Sequence, residues 1–288
     1  SSDLEQVDEI ICVDNGSKNI KKIQSFLIDL QEPNGNEWPQ ETQNFENRTS
    51  IKLIKNEENL GIAKALNQIL KYAQDCGYEW VLSLDQDSVI LSGLMDSYES
   101  VIQDWKESNE SNIDASHNEL AMLTAVYQDR NSTLKPLTTG AYEDVKECIT
   151  SASYANVKAL ISVGGYDEKM FIDYVDYDIC ATIRENGYRI VRLNRVGFIH
   201  EVGRAKPVSL FGVKTNVHNE SAFRKYYQVR NHLYYIKKHR NSVIKWVEYR
   251  RILKLFVLTI LYETDRANKL KAMIKGIRDS RKMIYNIE

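Results

Sequence analysis

Cysteine and long apolar segments are both scarce in this sequence of 288 residues. Its four cysteines lie far apart in sequence, form no Cys-x-x-Cys pair and have no histidine cluster near them, which argues against a zinc site and a disulfide framework. The longest apolar run, Leu253–Tyr262, contains Lys254 and is too short to cross a bilayer. We recognise no secretory signal peptide. We therefore expect reduced thiols and a cytoplasmic location.

Net charge is also small, at −2, but the two signs are unevenly distributed. Residues 204–288 hold 20 Lys/Arg and 6 Asp/Glu, whereas residues 1–203 hold 18 and 34. A solvated helical face explains most of these basic residues. The other interpretation is a basic region that meets an anionic surface or an anionic substrate. Repeats and interleaved aromatic and basic residues are too few to favour nucleic acid, so we expect no nucleic-acid partner.

What the sequence does contain is a short apolar segment that ends in two carboxylates. Val81–Leu84 predicts a buried strand, and Asp85 and Asp87 follow it, one residue apart. Alternate residues of a strand share a face, and ligands of open α/β sheets bind at the carboxyl ends of the strands. The pair could therefore hold a hard divalent cation. A solvated turn is the commoner explanation for an isolated Asp-x-Asp.

Two other segments show the order strand, polar turn, helix. The first strand runs into Asp14-Asn15-Gly16-Ser17, and a later strand leads to Asn59-Leu60-Gly61; each is followed by apolar residues at helical spacing. Asp14 could contact a base or a ribose. Free N–H groups at Gly61 could bind a phosphate or a ribose. Helix capping is the alternative explanation for both turns.

The rest of the chain alternates predicted strands and helices as far as residue 203. Strands are predicted at Leu120–Tyr127, Thr138–Tyr142, Glu147–Ser153 and Tyr188–Leu193, and helices near Leu94–Lys106, Val157–Val163 and Ile179–Asn186. Residues 218–250 and 252–285 predict two helices rich in Tyr, Lys and Arg. We therefore divide the chain into a domain at 1–203 and a basic helical region at 204–288.

The order of these segments resembles the family 2 inverting glycosyltransferases of the GT-A fold. The matching motifs are Val13–Ser17, Asn59–Gly61, Asp85–Asp87, Gly165–Glu168, Asp176 before a helix that ends in Gly187-Tyr188, and His200–Gly203. Leu84–Ser88 and Lys275–Asp279 are most like the bacterial rhamnosyltransferase branch. The resemblance covers nearly the whole chain. It implies an α/β fold with a Rossmann-like mixed sheet flanked by helices and a C-terminal helical extension.

The sequence departs from the family pattern at two places. The family usually begins with a strand and a helix ahead of the Val13–Ser17 strand, so we expect the first strand of the domain to be lacking from this sequence. Its loss would affect donor binding. The Glu-Asp pair that often precedes the catalytic helix is Val175-Asp176 here. The rhamnosyltransferase-like branch also tends to keep only this aspartate.

The resemblance also implies a chemical role for several side chains. A divalent cation, Mg²⁺ or Mn²⁺, would neutralise the leaving diphosphate, with Asp87 as the principal ligand and Asp85 and His200 as the other candidates. Asp85 could instead contact the ribose, and His200 could contact the diphosphate or be structural. Asp176 is the predicted base that deprotonates the acceptor hydroxyl, with helix capping as the alternative.

The nucleotide-sugar site implied by the resemblance comprises Asp14, Asn15, Asn59, Gly61, Lys64, Asp85 and Gln86. The segment Tyr226–Asn231 could fold back over this site. Arg230 within it could contact a phosphate of the donor or the acceptor, or lie on a helix surface.

The predicted function is therefore inverting transfer of a sugar, such as rhamnose from dTDP-rhamnose, in the synthesis of bacterial surface polysaccharide. The predicted acceptor is a glycan or a lipid-linked oligosaccharide, met at the anionic inner face of the membrane by the basic C-terminal region. A UDP-hexose donor is the alternative. Two competing functions are a non-catalytic scaffold or binding subunit with the GT-A fold and a nucleotidyltransferase.

Overall fold

The computed structural model describes residues 7–31, 49–109, 119–129, 141–200, 206–210 and 212–284. The strands in these ranges are β1 (Glu9–Asn15), β2 (Ser50–Asn56), β3 (Trp80–Ser83), β4 (Val89–Ile90), β5 (Leu120–Asp129), β6 (Tyr142–Asp144), β7 (Ser153–Asn156), β8 (Arg189–His200), β9 (Lys206–Leu210) and β10 (Val213–Val217). The helices are α1 (Ile20–Gln31), α2 (Ile62–Cys76), α3 (Leu94–Asn109), α4 (Val157–Ser162), α5 (Val175–Glu185), α6 (Ala222–Lys238), α7 (Lys245–Tyr262) and α8 (Arg266–Ser280).

The largest sheet in the described residues is mixed, with strand order β3-β7-β5-β8-β4 and with β6 paired to β8. Strands β5 and β8 are parallel, whereas β7 runs antiparallel to both β3 and β5. Strands β1 and β2 form a two-stranded parallel sheet, and β9 and β10 form an antiparallel hairpin. A mixed α/β architecture followed by C-terminal helices agrees with the prediction from the sequence.

The main sheet has an apolar cluster on each face. Met122 belongs to a cluster with residues of α2, α4, α5 and α6, whereas its neighbour Leu123 belongs to a cluster with residues of α3. Ile190 and Val191 of β8 divide in the same way. Adjacent residues of a strand point to opposite faces, so the two strands are covered on both sides. This packing fixes the strand ends that carry the candidate site.

Helix α2 illustrates how the local sequence sets an element. Its buried residues Ala63, Leu66, Leu70 and Ala73 recur at helical spacing. Gly77 ends the helix in the left-handed conformation, with φ of 79°, and its N–H donates to the carbonyl oxygen of Gln74. A glycine adopts this conformation without the steric penalty of a Cβ atom.

Helices α6 and α8 pack so closely that their backbones nearly meet. A Cβ atom at Gly276 would lie 2.7 Å from the carbonyl oxygen of Tyr226, so this crossing requires glycine. Gly276 lies in the Lys275–Asp279 motif noted in the sequence. Within the described ranges, none of the helices combines the length and the apolar character that crossing a bilayer requires.

Several predicted element bounds are wrong. The strand predicted at Glu147–Ser153 instead begins at Ser153, because a turn in which the N–H of Ser153 donates to the carbonyl oxygen of Thr150 precedes it. Three C-terminal helices, α6 to α8, stand in place of the two that were predicted. The first interruption is a turn that contains Ser242, and the second follows the end of α7 at Tyr262. The β9–β10 hairpin was not predicted.

Other predictions fall partly outside the described residues. Most of the strand predicted at Thr138–Tyr142 lies there, and so does the domain boundary near residue 204, which stays a prediction. The expected lack of a first strand also stays a prediction. All four cysteines are free, as expected, although the fold brings the Sγ atoms of Cys148 and Cys180 to 3.7 Å from each other.

Candidate functional site

Two carboxylates and one imidazole meet at the ends of β3 and β8. Asp85 and Asp87 follow β3, and His200 is the last residue of β8. One ligand atom from each of the three lies within 4.8 Å of the other two. The Nδ1 atom of His200 is 3.7 Å from an Oδ atom of Asp87. The structure therefore brings together the three residues predicted to bind a metal.

Serine side chains orient this group. The short pairing of β4 with β8 places Ser88 beside His200, and the Ser88 hydroxyl is 2.9 Å from Nδ1 of His200. Ser88 is also 2.7 Å from the hydroxyl of Ser151, which accepts a hydrogen bond from the backbone N–H of Asp85. The two serines thus link the loop that carries Asp85 to the end of β8.

The chemistry of the group fits a divalent cation. Burial raises the pKa of Asp85; neighbouring His200 opposes this rise, and neighbouring Asp87 adds to it. Two adjacent carboxylates repel each other, and a cation between them would relieve that repulsion. Carboxylate ligands suit Mg²⁺ or Mn²⁺, and an imidazole ligand favours Mn²⁺.

Asn15 joins the end of β1 to the turn that begins α2. Its side-chain amide donates to the Oδ1 atom of Asn59 at 3.1 Å and to the carbonyl oxygen of Gly61 at 3.1 Å, and its own Oδ1 accepts from the N–H of Leu60 at 3.0 Å. Three residues predicted to lie in the nucleotide site are thereby in direct contact. The neighbouring Asp14 is buried and accepts from Ser17, which lowers the pKa of Asp14.

The N–H groups at the start of α2 are already bonded within the protein. The N–H of Gly61 donates to Asn59, and the N–H of Ile62 donates to the carbonyl oxygen of Phe171 at 2.7 Å. These two N–H groups are already bonded within the protein, and the contact of Gly61 with a phosphate or a ribose stays a prediction. The glycine serves close packing, because a Cβ atom there would lie 2.6 Å from the carbonyl oxygen of Phe171.

Asp176 lines a cavity of about 540 Å³ that Asp85 also lines. It lies in the first turn of α5, whose N-cap is Tyr174, and its Oδ1 accepts from the N–H of Tyr177 at 2.9 Å. Burial raises the pKa of Asp176 to about 6, against the opposing effect of this hydrogen bond. The carboxylate is therefore a stronger base than an ordinary aspartate and still ionised at neutral pH.

The loop before Asp176 has a strained backbone. Phe171, Asp173 and Tyr174 have φ angles of 61°, 64° and 69°, in a region that residues with a Cβ atom rarely adopt. Such conformations cost about 1–3 kcal/mol each and persist only when the surroundings hold them.

Asn231 of α6 stabilises this loop conformation through hydrogen bonds. It is fully buried, and its amide nitrogen lies 2.6, 2.7 and 2.9 Å from the carbonyl oxygens of Met170, Ile172 and Asp173. The guanidinium group of Arg224 bonds to the carboxylate of Asp173. Helix α6 thus fixes the conformation of the loop that leads to Asp176.

The structure places three other predicted site residues, Arg230, Lys64 and Gln86, outside the lining of this cavity. The Arg230 guanidinium donates to the carbonyl oxygen of Lys169 at 2.6 Å and packs over the ring of Tyr227, which favours a structural role rather than phosphate contact. Lys64 forms an ion pair with Glu168 at 3.1 Å and lines a different surface cavity. Gln86 is exposed between Asp85 and Asp87.

The C-terminal helices also provide residues to the cavity that the sequence analysis did not select. These are Arg224, Gln228 and His232 from α6 and Arg251 and Leu255 from α7. Burial lowers the pKa of His232 to about 4, so this histidine is neutral where it stacks on Tyr174, with 4.4 Å between the ring centroids. Gln228 lies within the segment Tyr226–Asn231, which was predicted to fold back over the site. That prediction was the feature of the sequence from which Gln228 could have been found.

Both sequence comparisons find similarity to glycosyl transferases. Residues 2–113 match the sequence model of Glycosyl transferase family 2. A dTDP-rhamnosyl transferase from Shigella flexneri, RfbF, is 28% identical over 236 residues, which are 79% of this chain and 76% of that protein.

Two structures of TarS from S. aureus are similar to this one. Residues 1–349 of TarS in complex with UDP-GlcNAc align with a TM-score of 0.54 and 15% identity, covering 94% of this chain and 72% of that one. A longer TarS chain aligns with a TM-score of 0.51 and 13% identity, covering 96% of this chain and 44% of its own length. At these identities the likeness concerns the fold alone.

Proposed function

We propose that the chain transfers a sugar from a nucleoside-diphosphate donor to an acceptor hydroxyl with inversion, because residues 2–113 match the Glycosyl transferase family 2 model and the fold is similar to that of TarS. The observation that supports this reaction most directly is the shared cavity. Asp85, from the candidate metal group, and Asp176, the candidate base, both line it. In-line displacement requires the leaving group and the base on opposite sides of the reacting carbon, and this cavity contains one carboxylate for each of these two roles.

The candidate metal group and the candidate base have different tasks. A divalent cation held by Asp87 and His200, with Asp85, would neutralise the negative charge of the leaving diphosphate. The histidine ligand makes Mn²⁺ the better candidate than Mg²⁺. Asp176 accepts the proton of the acceptor hydroxyl while the oxygen forms its bond to the sugar. A base is most effective when its pKa lies near the working pH, and burial moves Asp176 in that direction.

Transfer by the intact protein is expected to lose rate in acid. Asp176 must be ionised to accept a proton, so kcat/KM should fall about tenfold per pH unit below a pKa of about 6 and be level above it. A bound cation near the cavity would lower the pKa of Asp176, so the pH below which the rate falls would also be lower. The measurement is kcat/KM between about pH 4.5 and pH 8, with circular dichroism at each pH to confirm folding. A level profile throughout this range would remove Asp176 from the role of base.

We propose dTDP-rhamnose as the donor, because the curated relative RfbF is a dTDP-rhamnosyl transferase. A UDP-hexose is the alternative, since a TarS structure that shares the fold contains UDP-GlcNAc. Asp14, Asn15 and Asn59 remain our candidates for contact with the nucleoside, because the first two are the last residues of β1 and Asn59 is bonded to Asn15.

Nucleotide-dependent stabilisation tests donor and metal together. A ligand that binds only the native state at about 100 times its Kd adds about 2.7 kcal/mol, which raises Tm by about 5 °C in a protein of this size. We expect this shift with dTDP and Mn²⁺, and its loss in Asp87→Ala. Asp104→Ala, which removes an exposed carboxylate of α3, is the matched control and should retain the shift.

Each outcome of this thermal measurement has a defined meaning. A shift with UDP in place of dTDP would change the donor. A shift that is independent of the metal and unchanged in Asp87→Ala would remove the metal group from the proposal. The absence of a shift with every nucleotide would favour the non-catalytic scaffold.

For the acceptor we propose a glycan or a lipid-linked oligosaccharide of bacterial surface polysaccharide, met at an anionic inner membrane face. Two groups in the cavity suit a sugar. The Oε1 atom of Gln228 is buried without a hydrogen-bond partner among the described residues, so it can accept from a ligand hydroxyl. Tyr177 offers a partly exposed ring of the kind on which sugars pack.

A further inference from the structure

We propose that one face of α7 lies flat on an anionic lipid bilayer. The α7 face consists of Trp246, Tyr249, Leu253 and Ile260. This inference deepens the proposed function, because it names the surface through which the protein meets the membrane that holds a lipid-linked acceptor. It rests on the proposed function only for the identity of that acceptor.

The α7 face is strongly apolar and strongly exposed. The exposed fractions of Trp246, Tyr249, Leu253 and Ile260 are 61%, 52%, 63% and 46%. Their spacing of three, four and seven residues keeps them on one side of the helix. A continuous exposed apolar stripe of this kind marks a contact surface rather than scattered surface residues.

The charges beside the α7 face all have the same sign. Lys245, Arg250 and Lys254 are exposed basic residues of α7 beside this face, whereas Arg251 lies on the cavity side of the helix. The single acidic residue of this helix, Glu248, is 6% exposed and bonded to His232 at 2.8 Å. An amphipathic helix with basic residues beside an aromatic and aliphatic stripe is the type that lies in the headgroup region of anionic membranes.

Other occupants of the α7 face agree less well with these charges. A second copy of the chain that used the same face would bring these three cations against the same three cations, and no exposed carboxylate of α7 is available to pair with them. A lipid surface instead offers anionic headgroups to the basic side chains and hydrocarbon to the apolar ones. Trp246 and Tyr249 suit that boundary, because each combines a large apolar ring with a polar group.

The position of α7 connects this surface to the cavity. Arg251 and Leu255 line the cavity that contains Asp176, and they lie about 160° and about 140° around the helix from Leu253 and Ile260 respectively, at about 100° per residue. One side of α7 therefore faces the cavity and the other side faces solvent. With the exposed side on a bilayer, the cavity lies one helix diameter from the headgroups, about 10 Å.

Sedimentation of the intact protein with vesicles tests the proposal. The probes are phosphatidylcholine vesicles with and without roughly 30% phosphatidylglycerol, at low and high salt. We expect salt-sensitive binding to the anionic vesicles only. The double substitution Trp246→Ser with Leu253→Ser should weaken that binding about tenfold or more. Phe26→Ser with Ile28→Ser is the matched control, because it removes two similarly exposed apolar side chains from α1 and should leave binding unchanged.

Three results would overturn the inference: binding to neither vesicle, equal binding to both, or anionic binding that the double substitution does not weaken. A dimer in solution that the double substitution dissociates would assign the α7 face to a second copy. Nucleotide-dependent stabilisation measured on the same variants separates this proposal from the transferase proposal. Loss of vesicle binding with retained nucleotide response, or the reverse, identifies which of the two fails.

Discussion

Replacement of Asp176 with asparagine is expected to reduce sugar transfer about a thousandfold while the protein stays folded. A positioned general base contributes about 10²–10⁴-fold to a rate. Asparagine has nearly the same size as aspartate, and its side-chain oxygen can still accept from the N–H of Tyr177, but it cannot accept the proton of the acceptor hydroxyl. The measurement is kcat and KM for transfer, and the loss should fall on kcat.

The stability of Asp176→Asn provides a second, opposite readout. Because burial raises the pKa of Asp176 to about 6, the folded state holds the ionised carboxylate less favourably than the unfolded chain does. The wild type is therefore less stable than Asp176→Asn above about pH 6, and this difference disappears as the pH falls towards about 4, where both states are protonated. Urea denaturation at two pH values measures it. Near-normal transfer by the folded variant would exclude Asp176 as the base.

Replacement of Asn231 with leucine is expected to lower the free energy of unfolding by about 3 kcal/mol or more. The leucine side chain is similar in size but has no donor for the carbonyl oxygens of Met170, Ile172 and Asp173. A buried polar group left without a partner costs about 1–3 kcal/mol. Asn268→Leu is the control, because Asn268 is exposed on α8 and bonded only locally to Asp265, so its loss should cost far less.

The same substitution should also change catalysis, because the strained loop leads directly to Asp176. Without the hydrogen bonds of Asn231, the loop relaxes and Asp176 becomes more hydrated. We therefore expect kcat to fall more than KM rises, and the acid limb of the rate profile to move to lower pH. A variant that is less stable but keeps both kcat and the acid limb would limit Asn231 to a role in folding. Asn231→Ser, which keeps one donor, allows these measurements if the leucine variant does not fold.

Such a result would give the C-terminal helices a part in the reaction. Helix α6 holds the loop before Asp176 and supplies Gln228 to the cavity, and α7 supplies Arg251. A buried network also ties α6 to α5: Asp178 accepts from the Nε2 of His239 at 2.9 Å and from Lys238 at 2.7 Å. Removal of the residues after 204 is therefore not a neutral truncation.

The sequence by itself determined the local chemistry of this protein. An apolar segment followed by Asp85 and Asp87 predicted a strand that ends in two carboxylates, and the structure has β3 in that place. Helical spacing of apolar residues identified α2. These features follow from side-chain periodicity and turn preferences within a few residues, so no distant contact is needed to predict them.

Only the tertiary structure decided which groups are free to react. The N–H of Ile62, beside Gly61, donates to the carbonyl oxygen of Phe171, which lies more than a hundred residues later in the chain, so this group is not free for a ligand. Arg230 and Asn231 both bond to the loop before Asp176, and the raised pKa of Asp176 comes from burial in that assembly. Hydrogen-bond partners and desolvation depend on packing between distant segments, and local sequence patterns carry no record of that packing.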